Sequence, residues 1–458
     1  MTPTPFDPWT SAWALADALI TQRGPALLWQ QRRRARLLRL LQEVAPRAPL
    51  YRARLAGLAL RDEQALQQIA PVDKAELQAD FAAGCTDPGL SSAELAAFRS
   101  QPPGSALRGR YLVWESSGSS GTPACFVQDG YALAVYDALE AARGPARWLP
   151  PSVWWRGGPR VALVAATQGR FAAVQSFERL RTLNPWLRAR TCAFDFLLPH
   201  AELLRALQDF QPTVLAAYPS MAHRLAQDLP PRALPLQAVW TGGETLTPAC
   251  RAALQERFGA PVHDAYGASE CFTLAHSCEH GHLHLNADWV VLEPVDAQDR
   301  PVPDGQWGHH ALLTNLINTV QPLIRYRLMD RVRLLPAGSC ACGSPLPPLE
   351  VQGRSSALLT LQDDQGQPLP IASLALETVL EERGGVFDFQ LTQQGPRRLR
   401  LDVYAARDPQ RAAEALHQYL AEQGARTVAL ELHAHFRHAP AAPSGKRPRF
   451  VIGQLTAS

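Results

Sequence analysis

RVALVAA (160–166), TVLAAY (213–218) and LQAVWT (236–241) are short apolar runs, and leucine and alanine at helical spacing fill Ala201–Phe210 and Ser220–Asp228 between them. Apolar runs of this length that alternate with helical stretches read as buried strands. The alternation predicts an α/β fold with a doubly wound, largely parallel sheet, whose ligands gather beyond the C-terminal strand ends. Three loops are expected at such ends. They are ESSGSSGTP (115–123) after the strand-like Tyr111–Trp114, TGGE (241–244), and DAYGASE (264–270) after the short segment Pro261–His263.

The first loop combines three kinds of small residue with a purpose. Glycines let backbone N–H groups approach an anion closely, and the serine and threonine hydroxyls add donors, so a polyphosphate is the natural ligand. The spacing excludes a Walker loop, because Thr122 and Pro123 follow Gly121 where that pattern needs a lysine. An adenine held between a glycine-rich backbone edge and a tyrosine ring, with a carboxylate beside a metal-bound phosphate, can be assembled from the other two loops.

The 458 residues exceed one core and predict two or three domains, and 46% hydrophobic with 19% charged residues describes an ordinary globular chain. No signal peptide and no run of about 18 apolar residues occurs, so a cytoplasmic protein without a membrane span is expected. A net charge of +3 is too small to argue for nucleic acid, and the run Arg32–Arg36 reads as a solvated helix face. Of 45 basic residues only Lys74 and Lys446 are lysines, which directs attention to Lys446 between Gly445 and Arg447. Residues 11 to 70 read as packing helices, and Asp73 as the cap of a new one.

ESSGSSGTP, TGGE, DAYGASE, PLIRYRLMD (322–330), GRSS (353–356) and PSGKRPRF (443–450) occur in the order and at roughly the spacing of the core motifs of the adenylate-forming superfamily, which the chain resembles. Within it the chain is most similar to the phenylacetate-CoA ligase branch, whose early segments resemble APLYRARL (48–55) and PVDKAEL (71–77). The resemblance implies a large N-terminal AMP-binding domain with doubly wound mixed sheets (1–353, helical over about 1–100) and a small mobile α+β lid domain (354–458). It implies ATP-dependent activation of a carboxylic acid to an acyl-adenylate, then transfer to a thiol, most often coenzyme A. Loading of a carrier protein's phosphopantetheine thiol and a non-catalytic nucleotide-binding relative stand as alternatives, and homodimer formation stays open.

Carried over by position, Ser116, Ser117, Gly118, Ser119, Ser120, Gly121 and Thr122 would hold the β- and γ-phosphates. Gly242, Gly243, Glu244, Asp264, Tyr266 and Gly267 would border the adenine, with Tyr266 stacking on it. Glu270 would hold Mg²⁺, Asp330 would accept from both ribose hydroxyls, and Arg354 would reach the α-phosphate or ribose. Arg325 and Arg327 stand open between such a role and structural ion pairs. Lys446 matches the lysine that bridges the carboxylate and the α-phosphate during adenylation. Two departures concern the lid: Ser356 and Ala357 replace the acidic pair at the hinge, and PLPIASLALETVL (368–380) lacks the glycine of the loop that helps form the coenzyme A tunnel.

Eight cysteines without a secretory signal favour thiols or metal over disulfides. Cys340 and Cys342 form a compact soft pair, and Cys278 precedes His280, His282 and His284; four N/S ligands suit tetrahedral zinc. The same branch has a Cys, a His and a C-x-C in corresponding places, which selects Cys278, His284, Cys340 and Cys342 as a structural Zn²⁺ site, with His280 or His282 as substitutes for His284. Trp154, Trp155, Phe171, Tyr218 and Ala265 are candidates for the walls of a pocket for an aryl or arylacetic acid.

Overall fold

A computed structural model describes residues 5–116, 124–352, 358–386, 389–404, 406, 408–435 and 450–452. Its centre is a nine-stranded mixed sheet in the spatial order Val332–Leu334, Pro348–Val351, Leu283–Leu285, Cys271–Ser277, Val262–Ala268, Ala238–Gly242, Val214–Ala217, Val161–Ala165, Thr191–Asp195. The last five run parallel, and the first four extend the sheet in antiparallel fashion. Helices connect the parallel members, as the alternation predicts. One of them, Pro248–Phe258, starts where the Thr247 hydroxyl accepts from Cys250 N–H and stops at left-handed Gly259.

Two expectations change. The strand Tyr111–Glu115 is not a member of the parallel sheet; it lies in a separate three-stranded antiparallel sheet with Ala106–Leu107 and Cys125–Gln128. The strands on either side of the Ser/Gly stretch therefore pair with each other in antiparallel fashion rather than with a parallel neighbour. The DAYG stretch is strand rather than loop: Val262–Ala268 continues past the parallel pairing and turns back at Ser269–Glu270 into Cys271–Ser277. Antiparallel pairing to that returning strand is what keeps it extended.

The N-terminal helices Pro8–Arg23 and Ala26–Arg39 share one apolar cluster with the helix Gly130–Arg143 and the antiparallel part of the large sheet, including fully buried Trp114 and Trp289. The arginine run Arg32–Arg36 is not simply solvated. Arg32 and Arg36 pair with Asp17, Arg33 pairs with Glu63, and the Arg36 guanidinium lies 3.4 Å from the Trp289 ring centroid. Residues 358–452 form a hairpin, the helix Pro409–Glu422 and a four-stranded sheet, an α+β pattern. Their apolar residues Leu359, Ile371, Leu416 and Tyr419 join one cluster with Phe196, Met221 and Leu225 of the parallel-sheet layer. Among the described residues no helix is long and apolar enough to cross a membrane.

Candidate active site and candidate metal centre

Neighbouring parallel strands bring the second and third motifs together, with Thr241 opposite Asp264 and Gly242 opposite Ala265. The Thr241 hydroxyl donates to Asp264 Oδ1 at 2.6 Å, and Asp264 N–H donates to the Ser277 hydroxyl at 2.9 Å. Burial pushes the Asp264 carboxyl up to about 6 against the opposing pull of the Thr241 bond and of Arg251. Gly243 is left-handed at φ +79°, and a Cβ there would fall 2.9 Å from the Tyr218 ring, so this turn closes only with glycine. That contact sets half-buried Tyr218 against the Gly243 backbone.

One step further along the strand, the Tyr266 hydroxyl donates to Asp330 Oδ2 at 2.9 Å. Asp330 follows the strand Leu323–Leu328, so motifs 64 residues apart meet in one hydrogen bond. Gly267 and Ala268 complete the strand, and buried Glu270 sits in the turn beyond it. The turn is pinned twice. Asn315 Nδ2 donates to the Glu270 carbonyl at 2.9 Å, and Trp114 Nε1 donates to the Ser269 carbonyl at 2.7 Å. The Ser269 hydroxyl also donates to the Glu115 carbonyl at 3.3 Å, and Ser116 N–H donates to the Ala124 carbonyl. The start of the Ser/Gly stretch thus arrives beside Glu270, where a phosphate and its cation could be shared.

Ser117 to Thr122, Arg354, Ser356, Ala357 and Lys446 lie outside the described residues. Arg325 and Arg327 take the structural alternative: Arg325 pairs with Glu293 at 3.2 Å and donates to the Ile69 carbonyl at 2.8 Å, and Arg327 pairs with Asp299. Trp154 and Trp155 are exposed on the short helix Pro151–Trp155, before the strand Val161–Ala165 and hence at the strand ends opposite the TGGE and DAYG motifs. Thr241, the first residue of TGGE, positions Asp264, while Ser277, Trp114 and Asn315 also position the site and were not singled out as site residues from sequence.

At the far end of the same hairpin, Cys278, His284, Cys340 and Cys342 place one ligand atom each within 4.8 Å of all the others. Cys278 Sγ lies 3.8 Å from Cys340 Sγ, and Cys342 Sγ lies 3.3 Å from His284 Nε2. Tetrahedral zinc with bonds of about 2.0–2.3 Å requires ligand separations of roughly 3.3–3.8 Å, so the four residues fit the ion. His284 Nδ1 bonds the Leu346 carbonyl at 2.9 Å; as donor there, the ring leaves Nε2 a lone pair facing the thiols. Burial lowers the His284 pKa, which favours the neutral ligand form, and pushes Cys342 up to about 12, so that a bound cation would displace thiol protons. His280 and His282 are exposed and outside the cluster. Beside it opens a cavity of about 250 Å³ lined by Arg143, Arg147, Trp148 and His276 as well as three of the four ligands.

Residues 177–308 match the family model of AMP-binding enzymes. The chain is 28% identical over 181 residues to a phenylacetate-coenzyme A ligase of Thermus thermophilus, covering 37% of this chain and 40% of that one. It is 26% identical over 217 residues to the Pseudomonas putida enzyme of that name, covering 42% and 45%. The match thus spans less than half the length of these curated relatives. A structure of 2-hydroxyisobutyryl-CoA ligase with 2-HIB-AMP and CoA, in the thioesterification state, superposes with a TM-score of 0.60 at 22% identity, covering 94% of this chain and 91% of the other. An open conformation of that ligase gives 0.56. Residues 177–308 thus match AMP-binding enzymes, part of the chain is similar to phenylacetate-CoA ligases, and the chain shares the fold of a CoA ligase.

Proposed function

We propose that this chain activates a carboxylic acid with ATP, releasing pyrophosphate, and passes the acyl group from the adenylate to a thiol, coenzyme A in the first place. The observation that carries the reading is the Tyr266–Asp330 hydrogen bond, set beside the Gly242–Glu244 turn on the adjoining strand. Tyr266, its hydroxyl anchored, presents a fixed ring face for adenine. Asp330 is the acceptor for the ribose hydroxyls, a carboxylate being acceptor-only with about four lone-pair sites. Ser116 to Thr122 hold the β- and γ-phosphates and Arg354 reaches the α-phosphate. Glu270 holds Mg²⁺, a hard cation suited to carboxylate and phosphate oxygens. The acid's carboxylate attacks the α-phosphorus, the bond to pyrophosphate breaks, and Lys446 stabilises charge on both partners. The thiol sulfur then attacks the acyl carbon and AMP leaves.

The acid is read as aryl or arylacetic, now on Phe171, Tyr218 and Ala265 without the two tryptophans. Cys278, His284, Cys340 and Cys342 hold a structural zinc ion that ties strand ends to the 340–342 loop and takes no part in the reaction. Ser356 and Ala357 at the hinge favour a second acceptor, the phosphopantetheine thiol of a carrier protein. Acid-dependent exchange of pyrophosphate into ATP, without any thiol, tests the first half-reaction against a panel of aryl and fatty acids. Exchange with none of them, while ATP still binds, would leave a nucleotide-binding relative.

A further inference from the structure

Three large apolar side chains stand in solvent at the sheet edge away from the nucleotide motifs: Trp155 is 86% exposed, Trp154 49% and Trp186 44%. The helix Pro151–Trp155 precedes the strand Val161–Ala165, and the helix Pro185–Arg190 runs directly into Thr191–Asp195. These strands pair in parallel, with Val161 opposite Thr191, so both helices sit at the N-terminal strand ends, about 17 Å of strand from the ligand edge. The two helical segments are built into one surface. Gly157 and Gly158 have φ near +88° and +87°; a Cβ on Gly158 would fall 2.4 Å from the Trp186 ring, and one on Gly157 would fall 2.7 Å from Arg190 Nη2. Arg190 donates from that nitrogen to the Arg156 carbonyl at 3.0 Å and lies 5.9 Å from the Trp186 ring centroid.

The sequence that carries this face is rich in arginine. Between residues 141 and 194 the chain has nine arginines and one carboxylate, Glu178, in a protein whose net charge is only +3. Three of the nine are consumed by acids: Arg143 by Asp288, Arg179 by Asp137, Arg181 by Glu178. Those at the tryptophan face are not. Among the described residues Arg160 and Arg190 spend their guanidinium bonds on backbone carbonyls, which leaves their charge uncompensated, and Arg156 and Arg188 are exposed.

We propose that this face docks the protein on an anionic lipid bilayer. An indole has an apolar body and one N–H donor, which suits the boundary between headgroups and acyl chains. The arginine fork takes phosphate oxygens in pairs, and each guanidinium near an anionic leaflet strengthens binding about fivefold. Exposed tryptophan beside unpaired arginine therefore meets both layers of a membrane surface at once, while the nucleotide edge faces away from it. Nothing in this assignment depends on the proposed reaction.

Co-sedimentation with vesicles tests it, using phosphatidylcholine alone and phosphatidylcholine mixed with phosphatidylglycerol. The native protein should bind only the mixed vesicles, and added salt should weaken that binding. Trp155→Ala with Trp186→Ala, and separately Arg156→Gln with Arg188→Gln, should each reduce it at least about tenfold, with unchanged melting temperature and unchanged ATP binding. No binding to mixed vesicles, or binding that survives both variants, overturns the assignment. Binding to poly-glutamate without binding to vesicles would assign an acidic protein instead. A concentration-dependent dimer abolished by the tryptophan variants would assign a second copy of this chain; either result overturns the lipid reading.

Discussion

The hairpin formed by Val262–Ala268 and Cys271–Ser277 has different chemistry at its two ends. Its turn carries buried Glu270, with Tyr266 close behind it. Its open end leads within one residue to Cys278 and, across the sheet, to His284, Cys340 and Cys342. The turn end is held by hydrogen bonds from Asn315 and Trp114, and under the proposed function it presents oxygen and ring faces to a ligand that comes and goes. The cluster end gathers soft ligands about one point, with the histidine tautomer set by the Leu346 carbonyl. Under the proposed function one scaffold separates groups that act on a transition state from groups that act on the folded state, and substitutions should separate the same way.

The largest effect is expected at the cluster end. Cys340→Ser with Cys342→Ser should remove about one zinc ion per chain and cost more than about 4 kcal/mol of stability, the range reached when a structural metal is lost. Metal analysis and thermal melting measure this, and exchange activity per folded molecule should be preserved. A metal-free protein of undiminished stability would remove the distinction between the two ends.

Next in size is the electrostatic contribution proposed for Lys446. Lys446→Ala should slow adenylate formation by about 10²–10³ while transfer from a supplied acyl-adenylate continues, and Lys446→Arg should do little better, since a planar guanidinium does not reproduce a compact ammonium. Melting temperature should not move in either variant. Equal losses in both half-reactions would mean that the lysine holds structure, as the cysteines do.

Asp264 tests whether the turn end carries an electrostatic cost of its own. Its folded pKa near 6 lies above the ordinary carboxyl value near 4 because of burial, so between those values the folded chain binds more protons than the unfolded one. Stability from this group is therefore fully present below about pH 4 and is lost as pH rises through about 6, a change of about 2–3 kcal/mol. Denaturation across that range should show the slope, and Asp264→Asn should flatten it.

What the sequence made legible follows from the range of the interactions involved. The parallel strands, TGGE and DAYG announce themselves because apolar runs and glycines act locally, and the C-x-C pair needs no tertiary knowledge to suggest soft ligands. The sheet to which Tyr111–Glu115 belongs was not legible, because an apolar pentapeptide reads the same in either sheet and only pairing with Cys125–Gln128 decides. Trp154 and Trp155 looked like pocket walls for a related reason: composition gives an aromatic, while the edge on which it stands depends on which strand end its helix precedes. The ion pairs that absorb Arg36 and Arg325 join segments far apart in the chain, to Asp17 and Asp288 and to Glu293.

The smallest expected effect concerns the one hydrogen bond on which the nucleotide reading rests. Tyr266→Phe keeps a ring for stacking and removes the hydroxyl that donates to Asp330, so ATP affinity should fall only about three- to tenfold, in keeping with about 1 kcal/mol for a hydrogen bond of this kind. Asp330→Asn removes charge from the acceptor and should weaken ATP more. If the hydroxyl acts by orienting the carboxylate toward the ribose, the tyrosine substitution should matter less once Asp330 is already asparagine, and the double-mutant cycle should show coupling of at least about 0.5 kcal/mol. Measuring 2′-deoxy-ATP alongside ATP isolates the ribose contact: the Asp330 variant should lose its preference for ATP and the Tyr266 variant should retain part of it. Strict additivity, with the ribose preference untouched in both, would mean that the bond merely closes the Leu323–Leu328 strand onto the hairpin, and the turn end would then be structural like the cluster end.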